Sequence, residues 1–173
     1  MASSTKNTRK IIRRYLPKSL TPKDKKLQYE NIIKSRKAYK QHIYLSRPHV
    51  KSFPHRRSKY LAVAMKIYGV DKIDATRELS KASGCSVKSL KKVINKGAGA
   101  YYSSGSRPNQ TAQSWGIARL ASALTAGKAG AVDYKILNEG CVKGSLGWKM
   151  AQKARRIHGH GTRRVPKASQ SPP

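Results

Sequence analysis

In 173 residues the chain carries 38 lysines and arginines against seven acids, a formal net charge of +31. Unbalanced charge on this scale works against a compact state unless a large anionic surface lies nearby. Enzymatic turnover of a small molecule is therefore a poor fit to this feature. The composition points instead to nucleic acid, an acidic protein shell or an anionic membrane face.

The charge is uneven. Residues 1–60 hold 18 basic and 2 acidic side chains, residues 61–140 hold 12 and 5, and residues 141–173 hold 8 and none. A milder centre thus lies between two strongly basic flanks, and most of the 38% hydrophobic residues fall in that centre. Such a centre can bury one small core. The organisation expected is a basic N-terminal arm with one helix over 1–44, a helical core over 45–140, and a basic C-terminal helix and tail over 141–173. Cys85 and Cys141 do not amount to a disulfide framework. MASSTKNTRK has no secretory apolar stretch, and no apolar run approaches a bilayer span. A reducing compartment and retained thiols are the expectation.

In chain order, residues 1–20 lack periodicity and are expected as an extended arm. Thr21-Pro22, with Asp24 in the first turn, starts a thinly apolar helix over about 22–40. LSRPHVKSFPHRRSK (45–59) contains Pro48 and Pro54 and reads as an extended basic strap. YLAVAMKIYG (60–69) reads as a buried helix closed by Gly69 in the left-handed region. In DATRELSKASGCSVKSLKKVINKG, Asp74 caps one helix and Gly84 ends it. Ser86 caps a second, whose face is Val87, Leu90, Val93 and Ile94 and which Gly97 closes. This pair has helix-turn-helix-like spacing. GAGAYYSSGSRPNQT (97–111) reads as a loop, either folded on its own core, with Trp115 and Arg119 holding it down, or presented to a partner. Thr111 caps a helix to about 125, AVDYKILNEG makes one more helix ending at Gly140, and SLGWKMAQKARRI (145–157) sets Leu146, Trp148, Met150 and Ile157 against basic residues. HGHGTRRVPKASQSPP reads as a disordered tail. The fold class expected is mainly α: a small helical domain with a helix-turn-helix-like hairpin, flanked by extended basic arms.

Catalytic chemistry finds little support. Asp74 and Glu78 fit capping and helix pairing, and Asp133 fits a cap or an arginine partner. Cys85, Cys141, His158 and His160 do not match zinc-ligand spacing. The glycines of GAGAYYSSGS lack the Lys-Ser/Thr ending of a phosphate-binding loop. The same segment can stack Tyr101 and Tyr102 on bases while Arg107 meets phosphate or carboxylate. Lys88, Lys91 and Lys92 suit phosphates, yet no Arg, Asn or Gln is spaced for bidentate base reading.

SRPHVKSFPHRRSKY (46–60), NKGAGAYYSSGSRPNQTAQSWGIARLASAL (95–124) and AVDYKIL (131–137) resemble a domain of unknown function found in small basic proteins of large eukaryotic DNA viruses, including algal viruses and their giant relatives. The likeness covers about residues 45–140. It implies a viral origin and brings no catalytic residues.

Together these readings give a non-enzymatic virion structural protein, a minor capsid component bridging larger subunits through basic arms, at the capsid or its inner face. The alternative is a non-specific nucleic-acid-binding protein that packages the viral genome. Expected partners are other capsid proteins, with viral DNA or an internal membrane surface as further anionic candidates; no small-molecule substrate, metal or cofactor is expected. The contact residues expected are Arg13 and Arg14 in the arm, Arg47, Arg56 and Arg57 in the strap, Lys88, Lys91 and Lys92 on the second hairpin helix, Tyr101, Tyr102 and Arg107 in the loop, and Arg155, Arg156, Arg163 and Arg164 at the C-terminal side.

Overall fold

The structure, a computed structural model, describes residues 11–161 and the short strand 167–168. The expected arm before residue 11 and most of the expected tail lie outside the described residues. The fold is mainly helical, and the chain divides into two compact units.

The first unit holds the described residues up to 55, residues 102–110 and the strand 167–168. Strand β1 (Ile11–Ile12) pairs antiparallel with β2 (Lys167–Ala168), Ile11 opposite Ala168. A 3-10 turn follows over Arg13–Tyr15, then helix α1 (Pro22–Tyr39). Thr21 caps α1 by accepting from the Asp24 amide, with proline at the first turn. Residues 11–20 are not the open arm that their lack of periodicity suggested. Ile11, Tyr15, Leu16 and Leu20 are all buried. Their apolar side chains follow no helical or strand period because the segment turns between them.

The inner face of α1 is Gln28, Ile32 and Ser35. Gln28 Nε2 donates to the carbonyls of Tyr15 and Ser106, and Ser35 Oγ donates to that of Tyr102. Besides the buried Ile32, a thinly apolar helix is thus held by side-chain hydrogen bonds to the backbone of distant segments, each worth about 1 kcal/mol net.

The second unit holds the described residues 56–101 and 111–161. Helix α2 (Lys59–Tyr68) ends at Gly69 with φ +62°. Helix α3 (Arg77–Ser83) ends at Gly84 with φ +76° and is followed by α4 (Val87–Ser103), whose last two residues belong to the first unit. Then come α5 (Ala112–Ala123), α6 (Lys128–Val132), α7 (Tyr134–Gly140) and α8 (Leu146–His158). Leu79, Leu90, Leu120, Leu124 and Leu137 have no exposed surface. Each stabilises the fold by roughly 2–3 kcal/mol relative to exposure.

Several elements depart from expectation. Helix α2 is not buried all round: Ala64 and Tyr68 face inward, while Val63 and Ile67 stay 48% and 36% exposed. Thr76, not Asp74, caps α3 by accepting from the Leu79 amide, and the Asp74 carboxylate accepts from its neighbour Ala75. Helix α4 runs straight through Gly97 to Ser103. A Cβ on Gly97 would lie 2.5 Å from the Gly116 Cα, so this glycine serves close approach of α4 and α5 rather than helix termination. That contact offsets the cost of about 1 kcal/mol for glycine inside a helix. The helix expected over 131–140 breaks at Asp133 into α6 and α7. On α8 the buried residues are Gly147, Ala151 and Ala154, whereas Leu146 and Ile157 are exposed. Small side chains let α8 sit close, and a Cβ on Gly147 would collide with Cys85 Sγ.

The thiols are not retained: Cys85 and Cys141 form a disulfide. Ser86 donates to the Gly140 carbonyl and Val142 to that of Gly84, so the flanking backbone makes a short antiparallel bridge that places the two cysteines face to face.

Tyr68 supplies a pH-dependent element. Its hydroxyl donates to the Leu124 carbonyl at 2.6 Å, and burial pushes its phenol well above the usual 10. A raised folded-state value means that this stability is complete below the unfolded value near 10 and is lost as pH rises beyond it. Thermal melts should therefore fall above about pH 10. Tyr68→Phe should flatten that alkaline limb while costing about 1 kcal/mol at neutral pH. An unchanged alkaline limb in the variant would rule out Tyr68 as its source.

Candidate nucleic-acid interface

In the first unit the strap and the turn 106–109 clasp one another. Asn109, at φ +62°, accepts from the Val50 amide through Oδ1 and donates through Nδ2 to the carbonyls of Val50 and Phe53. Its own carbonyl lies 2.8 Å from His55 Nδ1. Asparagine tolerates the left-handed region and carries both donor and acceptor, which is why one residue can hold two points of an extended segment. Val50 and Phe53 pack with Leu20. Asp24 receives the Ser52 amide and hydroxyl at 2.8 and 2.6 Å. Those two bonds, the hydroxyl first, hold its carboxyl below the usual carboxylate value.

The expected contact residues fall into distinct environments. Arg13 and Arg14 are exposed on the 3-10 turn, and Arg14 lies over the Tyr15 ring. Arg47 turns inward, donating to Ser35 Oγ and, at 2.8 Å, to Ser106 Oγ. Arg56, Arg57 and Arg107 are exposed. Tyr101 is 1% exposed and belongs to the packed interior. Tyr102 is half-buried and stacks on Tyr39 at 6.4 Å, with Tyr44 edge-on to both rings. Most of segment 97–111 is thus committed to ordering the fold. The Arg119 guanidinium grips Asp133, while its Cβ lies against Gly97 at the start of the segment.

In the second unit, Lys88, Lys91 and Lys92 are exposed along α4. On α8, Arg156 is exposed and Arg155 lies 4.5 Å from the Tyr134 ring centroid. Arg163 and Arg164 lie outside the described residues. Sequence reading did not single out Lys149 and Lys153, which are exposed and, with Arg156, recur at helical spacing along α8. At 1.5 Å rise per residue they form a ridge with successive cations about 6 and 4.5 Å apart along the helix axis. The heptad-like interval 149, 153, 156 is the signal that could have found them.

The one buried acid among the described residues and the half-buried Asp24 are already used. Asp133 has no exposed side-chain surface and receives Arg119 and Lys96, while Asp24 serves Ser52. Among the described residues no group of three His, Cys, Asp or Glu side chains is placed to hold a metal ion, and no helix is long and apolar enough to cross a membrane.

Fold and surface together define a small, mainly helical and strongly cationic protein. Residues 13–137 match the family of unknown function DUF5824, and the chain belongs to that family. The match begins well before the strap, so the 3-10 turn and α1 are part of the family's domain. No curated protein and no solved structure matches the chain.

Proposed function

We propose that the chain is a non-enzymatic protein that binds nucleic acid through non-specific phosphate contacts and organises the genome of a large DNA virus. The observation that carries this reading is the pair of exposed cationic helix faces, Lys88, Lys91 and Lys92 on α4 and Lys149, Lys153 and Arg156 on α8. The α3–α4 hairpin would present its lysines to phosphates without base readout. The viral origin rests on the resemblance carried by the strap and the YSSGSRPNQT segment.

A second reading, a minor capsid component bridging larger subunits through basic arms, is favoured by exposed apolar side chains. Val63, Ile67 and Val142 are 48%, 36% and 70% exposed, which phosphates do not require.

Binding of the full chain to mixed-sequence duplex DNA should weaken steeply with salt. Lys149→Gln/Lys153→Gln/Arg156→Gln should lower affinity on every sequence and reduce the log–log salt slope by roughly 2–3, about 0.9 for each phosphate that is no longer neutralised. Failure to bind DNA at low salt, with a fixed ratio to capsid subunits in purified particles, would favour the bridging reading. Sequence-selective binding at physiological salt would contradict both.

A further inference from the structure

We propose that Tyr44, backed by Tyr39 and Tyr102, is a stacking platform for the bases of single-stranded nucleic acid. The inference rests on the nucleic-acid reading above and adds strand state to it. All three rings belong to the first unit. Tyr39 and Tyr102 are nearly parallel, 6° apart in plane, and Tyr44 meets them edge-on at 5.9 and 5.2 Å. Tyr44 nevertheless remains 61% exposed, and Ile43 beside it 49%. Two rings therefore fix the orientation of a third that solvent still reaches.

The backbone explains how the ring is held out. The Ile43 amide donates to the Ala38 carbonyl and that of His42 to Tyr39, closing α1 through His42 at φ +59°. Glycine usually fills that position. This tight exit reverses the chain, bringing Tyr44 back beside Tyr39 at the end of the helix.

Charge selects the occupant. Lys37, Lys40 and His42 are exposed in the last turn of α1 and its exit, and no acid lies between Glu30 and Asp71 in sequence. Exposed aromatic surface set among cations suits a chain that alternates phosphate with an unpaired base. In a duplex the base faces are stacked away, so the same platform gains nothing from it.

The test compares wild type, Tyr44→Ala and Tyr44→Phe for binding to labelled oligothymidine and to a mixed duplex of equal length, at one salt concentration. Circular dichroism confirms that the variants are folded. Tyr44→Ala should weaken oligothymidine binding about tenfold and leave duplex binding unchanged, since each stacked base contributes on this scale. Tyr44→Phe should bind like wild type. Equal losses on both nucleic acids, or no loss on either, would overturn the platform while leaving phosphate binding intact. If wild type binds neither, the nucleic-acid reading fails with it. A Tyr44→Ala variant that binds both normally but no longer self-associates in sedimentation would assign the face to a second copy of the chain and overturn the platform.

Discussion

Asp133→Ala is expected to destabilise the fold by about 3 kcal/mol, lowering the melting temperature of the whole chain by roughly 6–12 °C. The carboxylate has no exposed surface and receives Arg119 Nε and Nη2 at 2.7 and 2.8 Å and Lys96 Nζ at 2.9 Å. It sits at the break between α6 and α7 and ties them to α4 and α5. Removing it leaves two cations facing each other, one of them a guanidinium only 21% exposed. Asp133→Asn should be nearly as damaging, because its amide presents hydrogens to donors. Lys96→Met should cost less than about 1 kcal/mol, since the Lys96 side chain is 49% exposed and such pairs are screened. Thermal unfolding followed by circular dichroism gives the order. An Asp133→Asn protein that melts with wild type would show that the carboxylate is not the pin.

Cys85→Ser/Cys141→Ser is expected to cost about 4 kcal/mol, because the bond closes a loop across 56 positions in sequence and its loss frees the unfolded chain. The bridge joins the α3–α4 turn to the α7–α8 turn, and the two cysteines are only 1% and 6% exposed. Thiol-reactive dye should label neither cysteine in native protein, and both only after denaturation with reductant. The double variant should melt roughly 10 °C lower. Two thiols titrating in native, unreduced protein, with no difference in melting, would refute the bond.

Much of the helical framework was legible because helix starts and stops are local chemistry. Thr21, Ser86 and Thr111 each accept from an amide three residues on, and Gly69 and Gly84 adopt the left-handed geometry that ends their helices. Where two capping residues lay close together, as at Asp74 and Thr76, sequence alone favoured the wrong one. Gly97 misled for a different reason. A glycine that allows two helices to touch looks, in sequence, like one that ends a helix, and its partner Gly116 lies on another element. The disulfide was hidden likewise, since the backbone bridge that aligns the cysteines is a long-range contact. Of the candidate interface, the α4 lysines and Arg156 were evident in the sequence, whereas Lys149 and Lys153 were not singled out. The inward turn of Arg47, the burial of Tyr101 and the Tyr39–Tyr44–Tyr102 group depend on how distant segments meet, and no local pattern encodes that.

The Asn109 clasp has a consequence for what the strap can become. Asn109 grips the main chain at Val50 and Phe53 rather than the side chains between them. Outward residues such as His49 and Lys51 can therefore be exchanged at little cost to this attachment. Adding or deleting a single position between 50 and 53 would put the two gripped carbonyls out of reach of one amide. The segment is thus permissive in lettering at its outward positions and strict in metre.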